Sequence, residues 1–453
     1  VDHSKRIASS SLVPASRFAW MAGALSTAAQ PARLAVGLVV ALLVFVPGLT
    51  WDAAVGARID PPGLLAEPWD DIEQAEAQHT LRTIASKLVP ELDFESARVP
   101  ADALVAALDA RAAELGSDPQ AQRYASAART ARELLPLGSF RAIVNAESAA
   151  AGAAVDGVLS VSPRAIVDGV RAAFVTAPAA LVARDPVFAA VLALWLAIVG
   201  GVGLGALARM EAVQVAGRTP LDARRAFAFA AERWSSIALS WGVPLAIAAV
   251  LVLACAAFGA LFRSDIGSWL GGVLYILPLA VGALAALVLL VAALGAPLSP
   301  AGVACDGLES LDASQRGAIY FLARPLLWVL ALAAAVAIAA IGITFLRIAG
   351  WALSSVPAFA VELGSADRAP SAALAVVPGA MELPHGGPAL AVWAWVHLLG
   401  LAVVGACVSL AAGLVVRTYL LLREACDGQP VDEVWPYDRP AEADLEIPVP
   451  KAP

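Results

Sequence analysis

The sequence predicts an all-α, polytopic membrane bundle of about six transmembrane helices, with an extracytoplasmic helical domain after the first span. Three observations carry this expectation. Of 453 residues, 60% are hydrophobic and only 15% charged, and the mean hydropathy is +0.76, a composition of chains that live in lipid. Six apolar runs, near 34–50, 187–208, 236–262, 268–296, 326–350 and 389–417, can cross a hydrocarbon core that takes roughly 20 helical residues. Within them Gly and Ala are plentiful and β-branched residues do not alternate with polar ones, so helices are favoured over barrel strands.

The first run is the shortest, and Pro47 stands near its end. It lacks a small-residue cleavage signature and reads as a retained span. Lys5, Arg6, Arg17 and Arg33 precede it, and Arg209, Arg218, Arg224, Arg225 and Arg233 follow the second run. The opposite loop at 263–267 carries Arg263 with Asp265, and Arg417 and Arg423 border the sixth run. Positive charge stays on the cytoplasmic side, so both termini are expected there, in a bacterial inner membrane. Trp51, Trp269, Trp351, Trp393 and Trp395 then mark the outer interface, and Trp234 and Trp328 the inner one, as an aromatic belt does.

Between the first two runs, Pro and Gly separate helical stretches near 66–88, 101–115, 119–135, 139–158 and 163–183. Asp118-Pro119 and Ser162-Pro163 are good starts, because proline gives up a donor that the first turn cannot use. The last two stretches, each with RAIV, turn Ala/Val-rich and are expected either against the outer membrane surface or packed within the helical domain. The organisation is therefore a cytoplasmic segment 1–33, a first span 34–50, an outer domain 51–186, a five-span domain 187–423 and a cytoplasmic tail 424–453.

A short phrase recurs. ACDG at 304–307 returns at 425–428, and Gly217, Leu221, Asp222 and Ala223 match Gly307, Leu311, Asp312 and Ala313 at identical spacing. Each copy follows a span, so the pattern reads as a tandem repeat of span, connector and returning span, with the third copy ending as a tail. Gly217, Gly307 and Gly428 are expected as helix stops, where left-handed glycine closes the last turn. Thr219 and Ser310 are expected to cap the helices that follow, with Thr219 and Asp222 at capping-box spacing. The same letters could instead build a metal or redox site from Cys305, Asp306, Cys426 and Asp427. No CxxC or HxxxH spacing supports that, and helix ends with packed cysteines are favoured. Asp306, Asp312, Arg316, Arg324 and Asp427 could form a cytoplasmic ion-pair network through the planar arginine fork, against the plainer alternative of positive-inside anchoring. Gly201 and Gly205 in GGVGLG lie inside a span, where they offer a close-packing face for another helix.

ARMEAVQVAGRTPLDARRAFAFAAERW, DGLESLDASQRGAIYFLARP and YLLLREACDGQPVDEV, within about 205–435, resemble a family of uncharacterised bacterial six-span membrane proteins with a large extracytoplasmic insertion after the first helix. The GRTPLDARRAF connector is similar, more loosely, to multi-span proteins related to the membrane domain of glycerophosphodiester phosphodiesterases. Neither resemblance implies an assigned activity, and the catalytic barrel of the second family has no counterpart in this chain. EAVQVAG at 211–217 matches the start of the EAA loop of ABC-importer permeases, where such a helix docks an ATPase, but the expected I-x-L-P does not follow.

Chemical groups are scarce. The cores of the six runs hold no ionisable residue except His397, expected to be packed rather than ligating, and His3, His79, His385 and His397 are scattered. Transport pathways are usually marked by buried ionisable groups; Pro244 and Pro278 could break spans around a substrate or merely kink them. The net charge of −8 and a pI near 5.1 leave no basic surface for nucleic acid. The expectation is a non-catalytic structural or assembly subunit of a membrane complex, without cofactor or metal. Its expected partners are the lipid bilayer and other membrane subunits or further copies of itself. The alternatives are an ABC-importer-like permease component and a lipid-acting enzyme.

Overall fold

The computed structural model describes residues 15–61, 63–67, 69–90, 101–115, 119–365 and 387–436. In chain order the helices are α1 (Ala15–Met21), α2 (Gly23–Ala28), α3 (Pro31–Val55), α4 (Asp71–Leu88), α5 (Ala101–Leu115), α6 (Pro119–Glu133), α7 (Ser139–Leu159), α8 (Pro163–Arg171) and α9 (Ala177–Arg184). They continue as α10 (Pro186–Val215), α11 (Ala223–Gly259), α12 (Asp265–Val273), α13 (Ile276–Gly295), α14 (Ser299–Asp306), α15 (Ser310–Ala323), α16 (Pro325–Ser365) and α17 (Gly387–Asp427). The architecture is an all-α bundle; among the described residues the β content is one isolated bridge, Ile59 to Leu137.

Seven helices are long and apolar enough to cross a membrane: Pro31–Val55, Pro163–Arg184, Pro186–Val215, Ala223–Arg263, Ile276–Asp306, Pro325–Val361 and Ala391–Asp427. The chain is thus a multi-pass integral membrane protein. Six of the seven fall on the expected runs, most of them extending well past the apolar letters and three continuing through an interior proline, Pro47, Pro244 and Pro357. The seventh, Pro163–Arg184, falls on the stretch expected either against the outer membrane surface or packed within the helical domain. Chain parity bears on it: Arg33 at the start of α3 meets Glu211 near the end of α10, so a chain that leaves by α3 and returns by α10 makes an even number of crossings between them. A single crossing by Pro163–Arg184 would violate that.

The chain divides into two compact units. One comprises Val1–Val40, Leu196–Gly342 and Val404–Pro453. Its helices approach through small residues. A Cβ on Gly37 would lie 2.3 Å from the Gly405 carbonyl oxygen, so α3 and α17 touch almost backbone to backbone, and one on Gly203 would lie 2.5 Å from the Val40 side chain, which packs onto α10 there. In lipid such contact supplies the dispersion energy that apolar burial cannot. Gly201 and Gly205 face α11, the first against Trp234 and Ala238 and the second against Ile237 and Ala230.

The connectors differ between the two repeat copies. Asp222, not Thr219, caps α11, its side chain accepting from Arg225 N–H at 2.7 Å. In the second copy Glu309 is the N-cap without a side-chain bond, Ser310 is already the first helical residue, and Asp312 sits in the first turn. The aligned Leu-Asp-Ala therefore begins α11 but lies inside α15; the carboxylate caps where the preceding Thr219 and Pro220 keep the chain extended, and instead stands in the first turn, at the positive helix end, where no proline precedes it.

The other unit comprises Ala41–Trp195 and Ile343–Val403. In it α4, α5 and α6 bury Leu81, Leu104, Val105, Leu108, Ala128 and Ala131, and Arg132 pairs with Asp109. Asp70 and Glu73 close a capping box on α4, which sets its start later than the expected 66. Ser162 caps α8 with Pro163 behind it, as expected; Asp118 lies outside the described residues. A second core joins Phe140, Ile143 and Ala146 of α7 to Leu181 and Phe188. Asp52, near the end of α3, accepts from the backbone N–H groups of Phe140 and Arg141, each at 2.9 Å, and so caps α7 from a distant part of the chain. Asp185 accepts from Ser139 Oγ at 2.6 Å and from Phe188 N–H at 3.1 Å, starting α10.

The α7–α8 corner places Gly157 and Gly169 where a Cβ would lie 2.7 Å from opposing backbone nitrogens. Between α8 and α9 one π-helical turn spans Ala172–Thr176; Pro178 has no N–H for the Phe174 carbonyl, and the register slips by one. Val161 closes α7 in the left-handed region, φ 53°, with Ser162 N–H bonded to Gly157 O and Val161 N–H to Val158 O. This is a Schellman stop built on a β-branched residue that is 83% exposed, which costs about 1 kcal/mol or more over glycine.

Two predictions follow from this unit. Val161→Gly should stabilise the protein by about 1 kcal/mol, seen as a higher midpoint of thermal unfolding in detergent. Burial pushes the Glu147 carboxyl above its ordinary range, so the folded state holds that proton more tightly than the unfolded one. Stability should then fall as pH rises from the unfolded value through the folded one. Glu147→Gln should abolish that slope and be more stable than the parent at pH 7, with no difference near pH 4; unfolding curves across pH measure it.

Candidate functional site: a buried arginine–carboxylate clamp

The charges that border the apolar runs do not lie in water. Arg33, Arg209, Glu211, Arg417 and Arg423 are all buried, Glu211 and Arg209 completely. Each stands in the terminal turns of an apolar helix, and helix packing within the first unit carries them inward. Glu211 of α10 sits between two guanidinium groups. It pairs with Arg33 of α3 and accepts from Arg417 Nε of α17 at 2.5 Å. Room for the cluster comes from glycine: a Cβ on Gly23 would meet the Arg417 guanidinium at 2.5 Å, and one on Gly413 would lie 3.5 Å from the Glu211 carboxylate.

Asp306, the last residue of α14, is the second carboxylate. It pairs with Arg423 and accepts from the Tyr419 hydroxyl at 2.5 Å. Arg316 of α15 approaches the same carboxylate at 4.0 Å and donates to Asp427 Oδ2 at 2.9 Å. The Tyr320 hydroxyl accepts from Arg316 Nε at 3.2 Å and donates to Asp427 at 2.7 Å. Burial, and then the hydrogen bond to Asp427, push the Tyr320 hydroxyl upward. Burial opposes the Arg316 charge, but its bond to Asp427 and the phenol rings nearby outweigh that and raise its pKa. Both therefore remain donors at any physiological pH.

Four buried guanidinium groups lie near two carboxylates, and carbonyl oxygens accept from three of them, Arg209, Arg417 and Arg423. Arg417 Nη1 donates to Trp20 O at 2.7 Å, in the last turn of α1, and lies over the Trp20 ring. Arg209 donates to Ala304 O at 2.9 Å, in the last turn of α14, and to Trp435 O at 3.1 Å. Helix C-termini have unpaired carbonyls and carry partial negative charge, so an arginine there finds both a bond and a favourable field.

The same groups bind the chain beyond α17. Arg423 Nη2 donates to Pro430 O at 2.8 Å and to Glu433 O at 2.6 Å, and Arg218 donates to Val434 O at 2.8 Å. Trp435 N–H donates to Cys305 O at 2.7 Å, the Arg233 guanidinium stacks on the Trp435 ring at 4.9 Å, and Gly307 lies directly beneath that ring. Residues 428–436 are thus folded back as a strap. Gly217, Gly307 and Gly428 all have left-handed φ, 67°, 66° and 70°, and the bonds from Gly307 N–H to Val303 O and Gly428 N–H to Glu424 O end their helices.

The structure brings Asp306, Arg316 and Asp427 together. Asp312 stands on the exposed first turn of α15, while Arg324 is the C-cap of α15 and is exposed. The groups that sequence reasoning assigned to membrane flanks, Arg33, Arg209, Arg417 and Arg423, form the centre instead, with Glu211 and Tyr419. Their signal is legible in retrospect: Glu211 in ALARMEAVQV and Arg417, Tyr419 and Arg423 in GLVVRTYLLLRE stand among apolar residues on both sides, where a charge without a partner is too costly. Cys305 is buried, and all four cysteines are free. Among the described residues no group of three or more His, Cys, Asp or Glu side chains is placed to hold a metal ion. His397 Nδ1 lies 2.8 Å from Trp393 O and its ring stacks on Trp393 at 4.1 Å, a packed histidine.

Breaking one side of a buried ion pair typically costs about 3–5 kcal/mol, because the partner's charge stays buried. Glu211→Gln leaves Arg33 and Arg417 uncompensated together and should destabilise the folded protein by about 3 kcal/mol or more. Asp312→Asn, on the exposed turn, should change stability by less than about 0.5 kcal/mol; denaturant unfolding in detergent of both variants measures the contrast.

Comparison of the chain with protein-family models, curated proteins and solved structures finds no match in any of the three.

Proposed function

We propose that this chain is a non-catalytic structural or assembly subunit of a membrane protein complex, lying in a bacterial inner membrane with both termini in the cytoplasm. The observation that carries the reading is the clamp: the strongest charges of the membrane unit are spent on one another, on helix ends and on the strap. Six segments, α1, α3, α10, α14, α15 and α17, are tied by bonds that lose several kcal/mol each when parted in a buried setting. A device of this kind holds helices in fixed relation, which suits a scaffold and opposes the opening and closing of a transport pathway at this end. The exposed arginines at the clamp end, Arg218, Arg224, Arg225 and Arg324, favour the cytoplasmic side for it. The wide apolar faces, with Phe174, Leu194, Leu253, Ile276 and Phe345 exposed, offer packing surface to lipid, to other subunits or to further copies of the chain. Nucleic acid finds no complementary charge.

The permease alternative rested on EAVQVAG. The acidic residue of that segment, Glu211, is 0% exposed and locked between two arginines, so it offers no surface charge to a docking subunit. The resemblance to six-span bacterial membrane proteins with an outer insertion agrees with the subunit reading in topology and adds no activity to it.

The test is affinity purification of the tagged full chain from native membranes in mild detergent, followed by mass spectrometry. A membrane protein present at a fixed ratio, with no nucleotide-binding subunit, is the expected result. Recovery of an ATPase at a fixed ratio would establish the permease reading in its place.

A further inference from the structure

Arg347 is a charged residue of the membrane-crossing helices that the clamp does not use. The residues of α16 from Pro325 to Leu346 include no charged side chain, and at about 1.5 Å per residue they run about 33 Å, one hydrocarbon thickness. Arg347 thus stands where a helix entering the bilayer at Pro325 reaches the opposite headgroup layer. Trp351, one turn further on and 67% exposed, is a side chain that prefers that layer.

Thr344, Arg347, Ile348 and Trp351 recur at helical spacing and form one stripe of α16. With Val155, Asp156 and Leu159 of α7 they line a cleft of about 350 Å³. All of these residues belong to the second unit. Among the described residues neither Arg347 nor Asp156 has an oppositely charged partner, and they do not pair with each other, although both border the same cleft. Both side chains are exposed at the cleft, so a ligand that carries both charges finds a partner for each. Leu159, Ile348 and Trp351 of the lining are exposed, so a ligand held there would lie partly against hydrocarbon.

We propose that this cleft binds a phospholipid whose headgroup carries both a phosphate and a primary ammonium, as phosphatidylethanolamine does. The Arg347 fork takes the phosphate oxygens, since guanidinium geometry matches phosphate bidentately. Asp156 takes the ammonium, and Trp351, Ile348 and Leu159 cover the glycerol and the first acyl carbons. A lipid with phosphate but no ammonium would leave Asp156 unpaired and facing a like charge, and is disfavoured.

Native mass spectrometry of the full chain, released from detergent into the gas phase after equilibration with defined lipids, tests this. The probes are phosphatidylethanolamine, phosphatidylglycerol with the same acyl chains, and water-soluble glycerophosphoethanolamine. One phosphatidylethanolamine per chain should be retained in preference to phosphatidylglycerol, and the soluble headgroup should not compete. Arg347→Gln should weaken retention about ten-fold, the loss of one charge-assisted contact, with Arg347→Lys intermediate. Asp156→Asn should keep lipid binding and lose the preference between the two lipids. Equal retention of both lipids by the parent chain would show bulk-lipid contact only and overturn the proposal. So would unchanged binding in a monodisperse Arg347→Gln, or competition by glycerophosphoethanolamine, which would mark a site for a soluble phosphate compound. Should Arg347→Gln fail to fold, the lysine variant and Asp156→Asn decide the same question.

Discussion

Glu211, fully buried and held between Arg33 and Arg417, is the constraint on which the membrane unit depends. A carboxylate has no tolerable place in a dry interior unless cations reach it, and a guanidinium has none unless anions or carbonyls do. Three helices far apart in the chain must therefore end within a few ångströms of each other. Their mutual position follows from charge neutralisation as much as from apolar packing, which in lipid discriminates poorly between neighbours. Asp306 repeats the arrangement one layer on, adding α14, α15 and the strap through Arg423, Tyr419 and Arg316.

Small residues make that neutralisation geometrically possible. Gly37 against Gly405 and Gly203 against Val40 let the helix axes approach closely, and Gly23 and Gly413 leave the space into which the guanidinium and the carboxylate extend. The left-handed glycines contribute at the next level. Gly217, Gly307 and Gly428 stop their helices, and Gly307 in addition has no side chain where the Trp435 ring must lie. A larger residue at 307 would be strained in φ and would displace the strap.

The second unit solves a related problem with caps in place of ion pairs. Asp52 and Asp185 each supply a carboxylate to the free N–H groups of a helix start, and Asp185 also takes the Ser139 hydroxyl. The end of α3 and the start of α10 are thereby joined to α7, with Phe45, Phe140, Trp51 and Phe188 filling the space between them. Gly138 is part of this device, because a Cβ there would lie 2.1 Å from the Asp52 carboxyl carbon.

Much of this was readable from the amino acids. Apolar length and composition determined that the chain is a multi-pass helical membrane protein, and α5, α6, α7 and α8 begin within a residue of the positions that proline and capping residues mark. The glycine stops were legible because a left-handed turn is a local property of one residue and its neighbours. The near-identical Leu-Asp-Ala copies, in contrast, take different places in their helices, since capping depends on whether the preceding chain is extended. The apolar letters on both sides of Arg417 and Arg423 point to burial, but nothing local names the partner of any of these arginines. Tertiary structure alone decided which groups pair, because an arginine's partner is chosen by what lies across the interface, and Glu211 lies 178 and 206 residues away from Arg33 and Arg417.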